Sequence, residues 1–285
     1  MKIRVQVTGG LGNQLFIWAG AHELQRRFNS EVSLIYIHDK NFRSDRDVEL
    51  WTLSKSCRHT ISINVWRKLG IIFQIIDKFQ LEKFKLSKSI LERLGIYSFN
   101  APTSELIFEK GKPRLIRSYF QRTDIVNSSW NLWSDEVTQF LEELDVSALM
   151  LGDSYTAVHV RRGDALNFAE SFGVLPVSYF QLEQKEKNPV YLCTDDFELP
   201  SEYTSTINPS RVFNPLDSNA WQSLKIFYDS NKFVGANSTL SWWAAYFRSQ
   251  KGESLTVLPR PWTIQKLGFD EALFVPGVTY RTAGY

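Results

Sequence analysis

The hydrophobic and polar positions of the chain follow an alternation of strands and helices from its first residues. Residues 3–7 alternate as a β-strand does, a glycine-rich turn covers residues 8–14, and a helix is predicted over residues 15–28. A second strand is predicted at residues 32–37. Strands that alternate with helices are typical of a parallel sheet covered by helices.

The second half of the chain repeats this alternation. Its predicted elements are strands at residues 157–160, 190–193 and 232–236, and helices at residues 177–187 and 220–228. The stretch at residues 145–153 looks like the join between two α/β units. We predict two domains, residues 1–150 and residues 151–285, whose polar strand ends face a shared crevice.

Charged side chains follow the first strand of the second half at the point where the strand ends. Because successive strand residues point to opposite faces, His159 and Arg161 share one face and Arg162 lies on the other. Open α/β sheets bind ligands at the carboxyl ends of their strands, and the planar guanidinium of arginine suits phosphate or carboxylate. The pattern predicts a ligand site or, alternatively, a structural ion pair of Arg162 with Asp164 or Asp153.

The next two strands of this half also end in polar residues. Asp195 and Asp196 follow one strand, and Ser238, Thr239 and Ser241 follow the other at the start of a predicted helix. Hydroxyls and N–H groups at a helix start bind anions, although plain helix capping explains the same residues. In a parallel sheet all three ends fall on one edge. The arginine and the helix start suit a diphosphate, and a carboxylate and an imidazole suit a ribose or purine. We therefore predict a nucleotide diphosphate site.

The glycine-rich turn of the first unit matches a dinucleotide-binding fingerprint only in part. Gly10 and Gly12 fit the pattern, but Leu15 stands where a third glycine or an alanine belongs. No acidic residue of clear role ends the second strand, so a Rossmann-type NAD site is not predicted. We expect the glycines to let the backbone approach another group closely, with Asn13 and Gln14 supplying side-chain hydrogen bonds.

Patterns that bind metal ions are weak along the chain. Asp45 and Asp47 match a D-x-D pattern that holds a metal through a sugar nucleotide in some enzymes, but they lie in a charged loop that we interpret as solvated surface. The sequence has no histidine or cysteine pair at metal-ligand spacing. If Arg161 neutralises a leaving diphosphate, that step needs no metal ion. We therefore predict no metal site.

Composition narrows the class of protein and its compartment. The net charge of +2 over 285 residues is too small to indicate nucleic-acid binding. Two cysteines, Cys57 and Cys193, cannot form a disulfide framework, and we predict free thiols in a reducing compartment. The sequence shows neither an apolar signal segment nor a run of about 18 apolar residues, which predicts a cytoplasmic protein.

The segment at residues 66–93 is predicted to form a long basic helix. It carries seven Lys and Arg residues against three Asp and Glu residues, and its isoleucines recur at helical spacing. The first interpretation is an amphipathic helix that packs on its own domain. The alternative is peripheral contact with an anionic membrane at the inner face of the plasma membrane, which the lysine excess favours.

Three blocks of the sequence resemble the signature motifs of one enzyme family. They are GGLGNQLF at residues 9–16, VHVRRGD at residues 158–164 and NSTLSWWAAY at residues 237–246. In this order and spacing they resemble the bacterial α-1,2-fucosyltransferases of glycosyltransferase family 11. The resemblance implies a GT-B-like α/β fold in which two Rossmann-like domains face a central cleft. It assigns the acceptor to the N-terminal domain and the nucleotide sugar to the C-terminal domain, with the last helix able to pack back on the N-terminal domain.

The resemblance also implies the reaction. Members of the family transfer L-fucose from GDP-fucose to the 2-hydroxyl of a galactoside, with inversion and without a metal, in the synthesis of lipopolysaccharide and other surface glycans. The expected partners are GDP-fucose as donor substrate and a galactose-terminated oligosaccharide or lipid-linked glycan as acceptor, with no further cofactor. Animal relatives carry an N-terminal membrane anchor that this sequence does not show, which favours the bacterial type.

Residue roles follow from the resemblance, block by block. Arg161 is expected to bind the β-phosphate and stabilise the departing GDP, and His159 is expected to lie near the guanine or ribose. Ser238, Thr239 and Ser241 are expected to hold phosphate from the helix start.

The acidic residues and the first block complete the predicted site. Asp195 and Asp196 resemble the acidic pair of the family's next block and are expected to bind the nucleotide. Asp164 and Asn13 are assigned to catalysis, Asn13 facing the fucose or the acceptor from across the cleft. The general base stays open among Asp164, Glu170 and Asp196.

One helix departs from the family pattern. Relatives often carry an aspartate ahead of the third block, where residues 221–225 of this chain read WQSLK. The residue that recognises guanine is therefore open. Two alternatives keep the fold and change the chemistry, through another GDP-deoxyhexose as donor or an acceptor other than galactose. A third alternative is a non-catalytic module that binds a nucleotide or a glycan.

Overall fold

The computed structural model divides the chain into two compact units, Met1–Val137 (unit 1) and Thr138–Tyr285 (unit 2). The described residues are 2–36, 49–56, 61–65, 72, 75–76, 78–99, 103–109, 111–182, 188–252 and 255–285. The division between the units falls inside the helix Ser134–Glu143, whereas the sequence-based domains divide after residue 150.

Unit 1 is built around a parallel sheet. Its strands are β1 (Lys2–Val7), β2 (Glu31–Tyr36), β3 (Ser62–Val65), β4 (Ile96–Ser98) and β5 (Leu115–Arg117). The helices that begin in it are α1 (Leu11–Phe28), α2 (Leu50–Ser56), α3 (Lys85–Arg93), α4 (Thr123–Ser129) and α5 (Ser134–Glu143). The described strands lie in the order β3-β2-β1-β5-β4 with parallel pairing throughout, so β1 is central.

The core of unit 1 forms where α1 lies against the central strand. Ile3 and Val5 of β1 and Phe16 of α1 have no exposed surface. Gly20 of α1 lies against the ring of Phe120, and a Cβ at Gly20 would be only 2.3 Å from that ring. Because only a glycine permits this approach, α1 lies close to Phe120, which follows β5. The turn between β1 and α1 follows the carboxyl end of the central strand.

Unit 2 contains a second parallel sheet. Its strands are β6 (Thr156–Val160), β7 (Val190–Thr194), β8 (Arg211–Phe213), β9 (Lys232–Val234), β10 (Thr256–Arg260) and β11 (Thr279–Thr282). Its further helices are α6 (Ala169–Phe172), α7 (Ser201–Ile207), α8 (Ala220–Asp229), α9 (Thr239–Gln250) and α10 (Phe269–Ala272). The described strands lie in the order β11-β10-β9-β6-β7-β8, again with parallel pairing. The prediction of an α/β protein with parallel sheets is confirmed in both units.

Two helices of unit 2 have starts that their own side chains cap. Before α8, the side chain of Asn219 accepts a hydrogen bond from the backbone of Gln222, whose side chain accepts one from the backbone of Asn219. Before α9, the side chain of Ser238 accepts a hydrogen bond from the backbone of Leu240. Such caps satisfy N–H groups that have no partner within the helix. The start of α9 is therefore anchored directly after β9.

The helix predicted at residues 177–187 is wrong over its described part. Val177–Phe180 form a single 3₁₀ turn. Within this turn Tyr179 and Phe180 are buried, and the hydroxyl of Tyr179 donates a hydrogen bond of 2.9 Å to the carbonyl of Gly235. The apolar residues of this segment enter the core of unit 2 from a loop, so tertiary packing overrides the local helical pattern.

The long basic helix predicted at residues 66–93 is interrupted. Gln80 adopts a left-handed conformation with φ 48°, and Leu81–Lys83 form a 3₁₀ turn before α3 begins at Lys85. Ile76 is buried in the core of unit 1, as the packing interpretation expects, whereas Ile75 is 45% exposed. No helix in the described part of the chain is long and apolar enough to cross a membrane.

The last helix, α10, is tied into unit 2. The carboxylate of Asp270 accepts a hydrogen bond of 2.7 Å from the backbone N–H of Trp262. The ring of Phe269 lies 5.9 Å from that of Phe172, centroid to centroid. Strand β11 follows α10 and pairs in parallel with β10 at the edge of the sheet.

Candidate functional site

The carboxyl ends of three neighbouring strands in unit 2 carry the polar residues that the sequence singled out. Strand β6 pairs in parallel with β9 on one side and β7 on the other, so all three end at the same edge of the sheet. Residues 161–164 follow β6, residues 195–196 follow β7, and residues 237–241 follow β9. The fold of unit 2 therefore brings these three polar segments together.

His159 is a buried imidazole near the end of β6. Only 6% of its surface is exposed, and its ring stacks on Phe227 of α8 with the centroids 5.0 Å apart. Its Nδ1 lies 2.7 Å from the Oγ of Ser241 in the first turn of α9. The same Oγ accepts a hydrogen bond of 3.0 Å from the backbone N–H of Ala236. The hydroxyl of Ser241 thus joins the end of β9 to the imidazole.

The surroundings of His159 keep its imidazole neutral. Burial lowers the pKa of His159 from the ordinary value of 6.5 to about 4, the carboxylate of Asp195 opposes this change, and the guanidinium of Arg161 adds to it. Because Nδ1 is engaged by Ser241, Nε2 is the ring nitrogen without a hydrogen-bond partner among the described residues. A neutral imidazole offers one donor or one acceptor at that atom.

Arg161 lies at the sheet edge with part of its guanidinium uncommitted. Its Nε and Nη2 donate to Oδ1 of Asp164 at 3.2 and 3.1 Å, and its Nη1 donates to the carbonyl of Asn237 at 3.4 Å. Of the five N–H donors of a guanidinium, these bonds use three and leave two without a partner among the described residues. The side chain of Arg161 is 30% exposed, which gives a ligand access to those donors.

Arg162 takes part in a structural contact on the side of β7. Its Nε donates to Oδ2 of Asp196 at 3.0 Å, and its guanidinium carbon lies 5.9 Å from the ring centroid of Tyr203. The ion pair expected as the alternative for Arg162 therefore exists, but its partner is Asp196 and not Asp164 or Asp153. The two arginines that follow β6 thus make contacts with different elements, as the alternation of strand faces requires.

Asp195 holds the backbone of the loop that carries both arginines. Its Oδ1 accepts hydrogen bonds from the N–H groups of Arg162 and Gly163 at 2.7 and 2.9 Å. A Cβ at Gly163 would lie 2.5 Å from the carbonyl oxygen of Asp195, so a glycine is required at this close approach. Asp195 therefore fixes the position from which Arg161 extends. The nucleotide contacts expected of Asp195 and Asp196 stay a prediction.

The first turn of α9 presents N–H groups at the same edge. The hydroxyl of Ser238 accepts a hydrogen bond of 3.2 Å from the N–H of Leu240. The backbone carbonyl of Ser238 accepts one of 2.9 Å from the N–H of Trp242. First-turn N–H groups have no partner inside a helix, and those of Thr239 and Ser241 have none elsewhere in the described part of the chain. A helix start of this kind attracts anions through its N–H groups and its dipole.

Asn237 connects this edge to two other parts of unit 2. Its Nδ2 donates to the carbonyls of Phe172 and Gly173, both at 3.1 Å, and to the hydroxyl of Tyr285 at 2.7 Å. Its backbone carbonyl accepts the hydrogen bond from Arg161. Its Oδ1 is buried and has no hydrogen-bond partner among the residues that the structure describes. That oxygen is therefore an unsatisfied acceptor inside unit 2.

Asn13 lies in unit 1, in the first turn of α1. Its Oδ1 accepts a hydrogen bond of 2.8 Å from Nε2 of Gln121. Gly9 has a φ of 76°, and a Cβ there would lie 2.4 Å from Nδ2 of Asn13. The close approach expected of Gly10 and Gly12 stays a prediction. Gln14 donates to the carbonyl of Gly9 at 2.8 Å and accepts from the N–H of Leu50 at 3.3 Å. The contact of Asn13 with fucose or acceptor stays a prediction.

The remaining candidates contribute less to this edge. Glu170 is exposed on α6. Cys193 is a buried free thiol in β7, and burial raises its pKa. The D-x-D pair at residues 45–47 and the cysteine at residue 57 lie outside the described residues. Among the residues that are described, no group of three or more His, Cys, Asp and Glu side chains is arranged to hold a metal ion.

Two contacts of the site escaped the sequence analysis. Phe227 stacks on His159, and Ser241 bonds to His159, whereas the sequence assigned this serine to phosphate. A signal for Phe227 was present, because it lies three residues after Leu224 on the apolar face of a predicted helix. Ser241 gave no such signal, since its partner lies 82 positions away in the chain.

The arrangement as a whole is suited to bind an anion with polar groups attached. Two donors of Arg161 and two N–H groups of α9 are positive in character and are free of protein partners in the described part of the chain. Nε2 of His159 is a neutral donor or acceptor in the same part of unit 2. Oδ1 of Asn237 is a buried acceptor in that part as well. A phosphate group joined to a hydroxyl- or amine-bearing moiety matches these features.

Comparisons with known proteins give a consistent result. Residues 2–281 match the family model described as glycosyl transferase family 11. The chain is 24% identical over 286 residues to the Escherichia coli O-antigen biosynthesis glycosyltransferase WbnK, with 90% of this chain and 93% of that protein covered. It is also 24% identical over 286 residues to an alpha-1,2-colitosyltransferase of Escherichia coli, with 90% and 91% covered.

A solved structure supports the fold. The E. coli heptosyltransferase WaaC with ADP superposes with a TM-score of 0.51 at 10% sequence identity, over 99% of this chain and 93% of that chain. At this identity the likeness concerns the fold alone. The predicted GT-B-like α/β fold is confirmed.

Proposed function

The chain belongs to glycosyltransferase family 11, and we propose that it transfers L-fucose from GDP-fucose to the 2-hydroxyl of a galactoside. The membership confirms the resemblance that the three sequence blocks indicated, and it makes the protein a glycosyltransferase. The donor, the acceptor, inversion at the anomeric carbon and independence of a metal ion are the parts that we propose.

The observation that carries the proposal is the pair of uncommitted N–H donors on Arg161 beside the first turn of α9. In the transfer, the bond from the anomeric carbon to an oxygen of the β-phosphate breaks, and the departing GDP gains negative charge. A guanidinium and helix N–H groups that are already fixed in place stabilise this charge without reorganisation. We therefore assign Arg161 and the N–H groups of Thr239 and Ser241 to the diphosphate.

The other residues of the edge support a nucleotide in this proposal. Nε2 of the neutral His159 hydrogen-bonds the ribose or the guanine. The hydroxyl of Ser241 already bonds to Ala236 and His159, so we assign it to positioning of the imidazole. The backbone N–H group of Ser241 is the group that we assign to the phosphate.

Asp164 is proposed to hold Arg161 in its reactive orientation. Both of its hydrogen bonds from Arg161 end on Oδ1, and the side chain is 40% exposed. An exposed ion pair of this kind contributes little to stability, which leaves orientation as its main effect. The general base that removes the proton of the acceptor hydroxyl stays open among Asp164, Glu170 and Asp196. Of these, Asp196 already bonds to Arg162 and to the N–H of Glu198.

A second candidate keeps the mechanism and changes the donor. One relative is named an alpha-1,2-colitosyltransferase, and another is named for O-antigen biosynthesis. These names favour a related GDP-deoxyhexose, such as GDP-colitose, as the alternative donor, and they favour a surface glycan as the acceptor. Colitose lacks the 3-hydroxyl of fucose, so a site that hydrogen-bonds this hydroxyl discriminates strongly between the two sugars.

The experiment is a direct transfer assay on the purified full chain. Lactose is supplied as the galactoside, and GDP release is followed with GDP-fucose, GDP-colitose or GDP-mannose, each with and without EDTA. We expect turnover with GDP-fucose that EDTA leaves unchanged, and NMR of the product shows an α-1,2 linkage. If turnover is faster with GDP-colitose than with GDP-fucose, GDP-colitose is the donor and the alternative is correct. Loss of turnover in EDTA contradicts the metal-independent mechanism.

Substitutions at the two arginines test the assignment of roles. We expect Arg161→Ala to lower kcat about 100-fold or more, as removal of one charge-stabilising group does. Arg161→Lys is expected to recover little of the lost kcat, because the point charge of an ammonium group does not replace the planar guanidinium. The matched control is Arg162→Ala, which removes a neighbouring arginine of similar exposure and leaves kcat within a few-fold once the folded fraction is taken into account. The assignment is refuted if Arg161→Ala keeps kcat within a few-fold while Arg162→Ala lowers it about 100-fold.

The non-catalytic alternative has a separate signature. A binding module takes up GDP by calorimetry yet releases none from any of the three sugar nucleotides. In that case Arg161→Ala weakens GDP binding, and no turnover is measured for either the variant or the unchanged chain. Detectable GDP release that requires the acceptor excludes this alternative.

A further inference from the structure

The outward face of α3 in unit 1 carries apolar side chains. Leu86, Ile90 and Leu94 are 74%, 51% and 58% exposed, and they recur every four residues, so they form one stripe along the helix. Phe79 and Phe84, which precede the helix, are 57% and 60% exposed. These five side chains are called the apolar patch below. A concentration of exposed apolar groups on a monomer surface marks an interaction site.

The apolar patch is not the side by which α3 packs on its own unit. That side is represented by Leu91, which packs against the core cluster that contains Ile35, Ile76 and Leu115. No residue of α3 is itself buried. A helix that faces only water on its outer side carries polar residues there. The apolar stripe of α3 therefore requires an explanation other than the core of unit 1.

Basic residues stand next to the members of the apolar patch in the sequence, and they are called its basic surround below. Lys85 and Arg93 each stand one position before a leucine of the stripe and form a second stripe next to it. Between residues 78 and 94 the sequence has five basic and two acidic residues, a net charge of 5 − 2 = +3. One of the basic residues, Lys88, lies 3.9 Å from Glu92. The others of the five are Lys78 and Lys83, which are exposed.

We propose that the apolar patch and its basic surround dock on a membrane surface that contains anionic lipid. Anionic headgroups complement the net charge of +3, while the leucine, isoleucine and phenylalanine side chains enter the interface below the headgroups. A second copy of the chain fits the surface less well, because a two-fold interface would bring identical positive charges together. The proposal concerns a surface of unit 1 and does not depend on the donor or acceptor proposed above.

The test uses the full chain and vesicles of phosphatidylcholine, with and without phosphatidylglycerol, in a sedimentation assay at low salt. We expect binding to the vesicles that contain phosphatidylglycerol, and we expect added salt to reduce it. Neutralising two charges in Lys85→Gln with Arg93→Gln lowers the partition coefficient about 25-fold, since each basic residue near such a surface contributes about 5-fold. Leu86→Ser with Ile90→Ser lowers it about 10-fold or more.

Matched controls come from unit 2. Leu216 is 85% exposed, and Lys266 is exposed as well. Leu216→Ser and Lys266→Gln change one apolar and one basic surface residue outside the patch, and we expect both to bind vesicles as the unchanged chain does. Because all of the substituted side chains are exposed, the urea midpoint of every variant is expected to stay the same.

Three outcomes overturn the proposal. The first is the absence of binding to vesicles that contain phosphatidylglycerol. The second is equal vesicle binding by the unchanged chain and by both patch variants. The third is a stable dimer in light scattering that Leu86→Ser with Ile90→Ser dissociates, because a second copy of the chain then occupies the patch. Salt-sensitive binding that both patch variants lose and both unit 2 controls keep supports it.

Discussion

The buried imidazole of His159 allows a test of the site that requires no substrate. The proposed perturbation is His159→Asn, which removes the titrating group and retains a side chain that can bond to Ser241. The comparison of interest is how the free energy of unfolding changes with pH in the two proteins. The unchanged chain should be destabilised by acid more steeply than the variant.

The sign follows from the direction of the pKa change. Burial lowers the pKa of His159 from 6.5 to about 4, so the folded protein binds a proton less readily than the unfolded chain does. The stabilising contribution is complete above pH 6.5, where the imidazole is neutral in both states. It is lost as the pH falls from 6.5 towards 4, because only the unfolded chain takes up the proton there.

The magnitude follows from the same two values. The difference, 6.5 minus 4, is about 2.5 and corresponds to roughly 3 kcal/mol of unfolding free energy. Most of it is lost by about pH 4.5. Carboxylates elsewhere titrate over part of this range, but they do so in both proteins and cancel in the comparison. The difference between the two proteins therefore isolates His159.

The assay is urea unfolding of both proteins, followed by tryptophan fluorescence at about pH 7.5 and about pH 4.5. We expect the loss of unfolding free energy between these pH values to be roughly 2 to 3 kcal/mol larger for the unchanged chain. Equal losses in the two proteins refute the reasoning, because His159 would then titrate as it does in the unfolded chain. A larger loss in the variant refutes the sign.

Ser241 and Gly163 support the same edge and are open to single substitutions. Ser241→Ala leaves the N–H of Ala236 and Nδ1 of His159 without a partner at a buried position, and should lower the unfolding free energy by roughly 2 to 4 kcal/mol in urea titrations. A loss under about 0.5 kcal/mol contradicts those contacts. Gly163→Ala sets a Cβ 2.5 Å from the carbonyl of Asp195. It should displace the arginine loop and weaken GDP binding roughly 10-fold in calorimetry, and unchanged affinity contradicts this.

The strand order of the two sheets was not predicted, but the edge that bears the site was. A short apolar run that ends in polar residues marks a strand buried on both faces, and in a parallel sheet every strand ends at the same edge. The polar residues that follow β6, β7 and β9 could therefore be assigned to one place without knowledge of which strands are neighbours. This is why three segments far apart in sequence were correctly expected to converge.

Helix predictions failed where tertiary contacts outweighed local spacing. Tyr179 and Phe180 stand at positions compatible with a helix, yet they enter the core from a 3₁₀ turn. The chain before α3 turns at Gln80, although the apolar spacing continues through that position. In both segments the apolar side chains recur with a period of 3.6 residues. This spacing does not determine which of them are buried in the core.

Partners of charged side chains depend on distances that a sequence does not contain. The carboxylates of Asp195 and Asp196 were assigned to the nucleotide because they follow a strand and resemble a family block, and that assignment stays a prediction. The sequence did not show that one also binds the N–H groups of the arginine loop and that the other pairs with Arg162. These contacts span 32 to 34 positions in the chain. An acid at a strand end is chemically suited to a ribose and equally suited to a neighbouring loop, so the residue type alone does not separate the two roles.

The same contacts explain why the two arginines differ. Asp196 is directed at Arg162, and Asp195 fixes the backbone of Arg162 and Gly163, so the acids after β7 are engaged on one side of the loop. Arg161 extends to the other side, where Asp164 and a carbonyl leave two of its donors uncommitted. The acids after β7 therefore determine indirectly which arginine is available to a diphosphate. If that is correct, removing the carboxylate of Asp196 should alter the stability of unit 2 much more than the affinity for GDP.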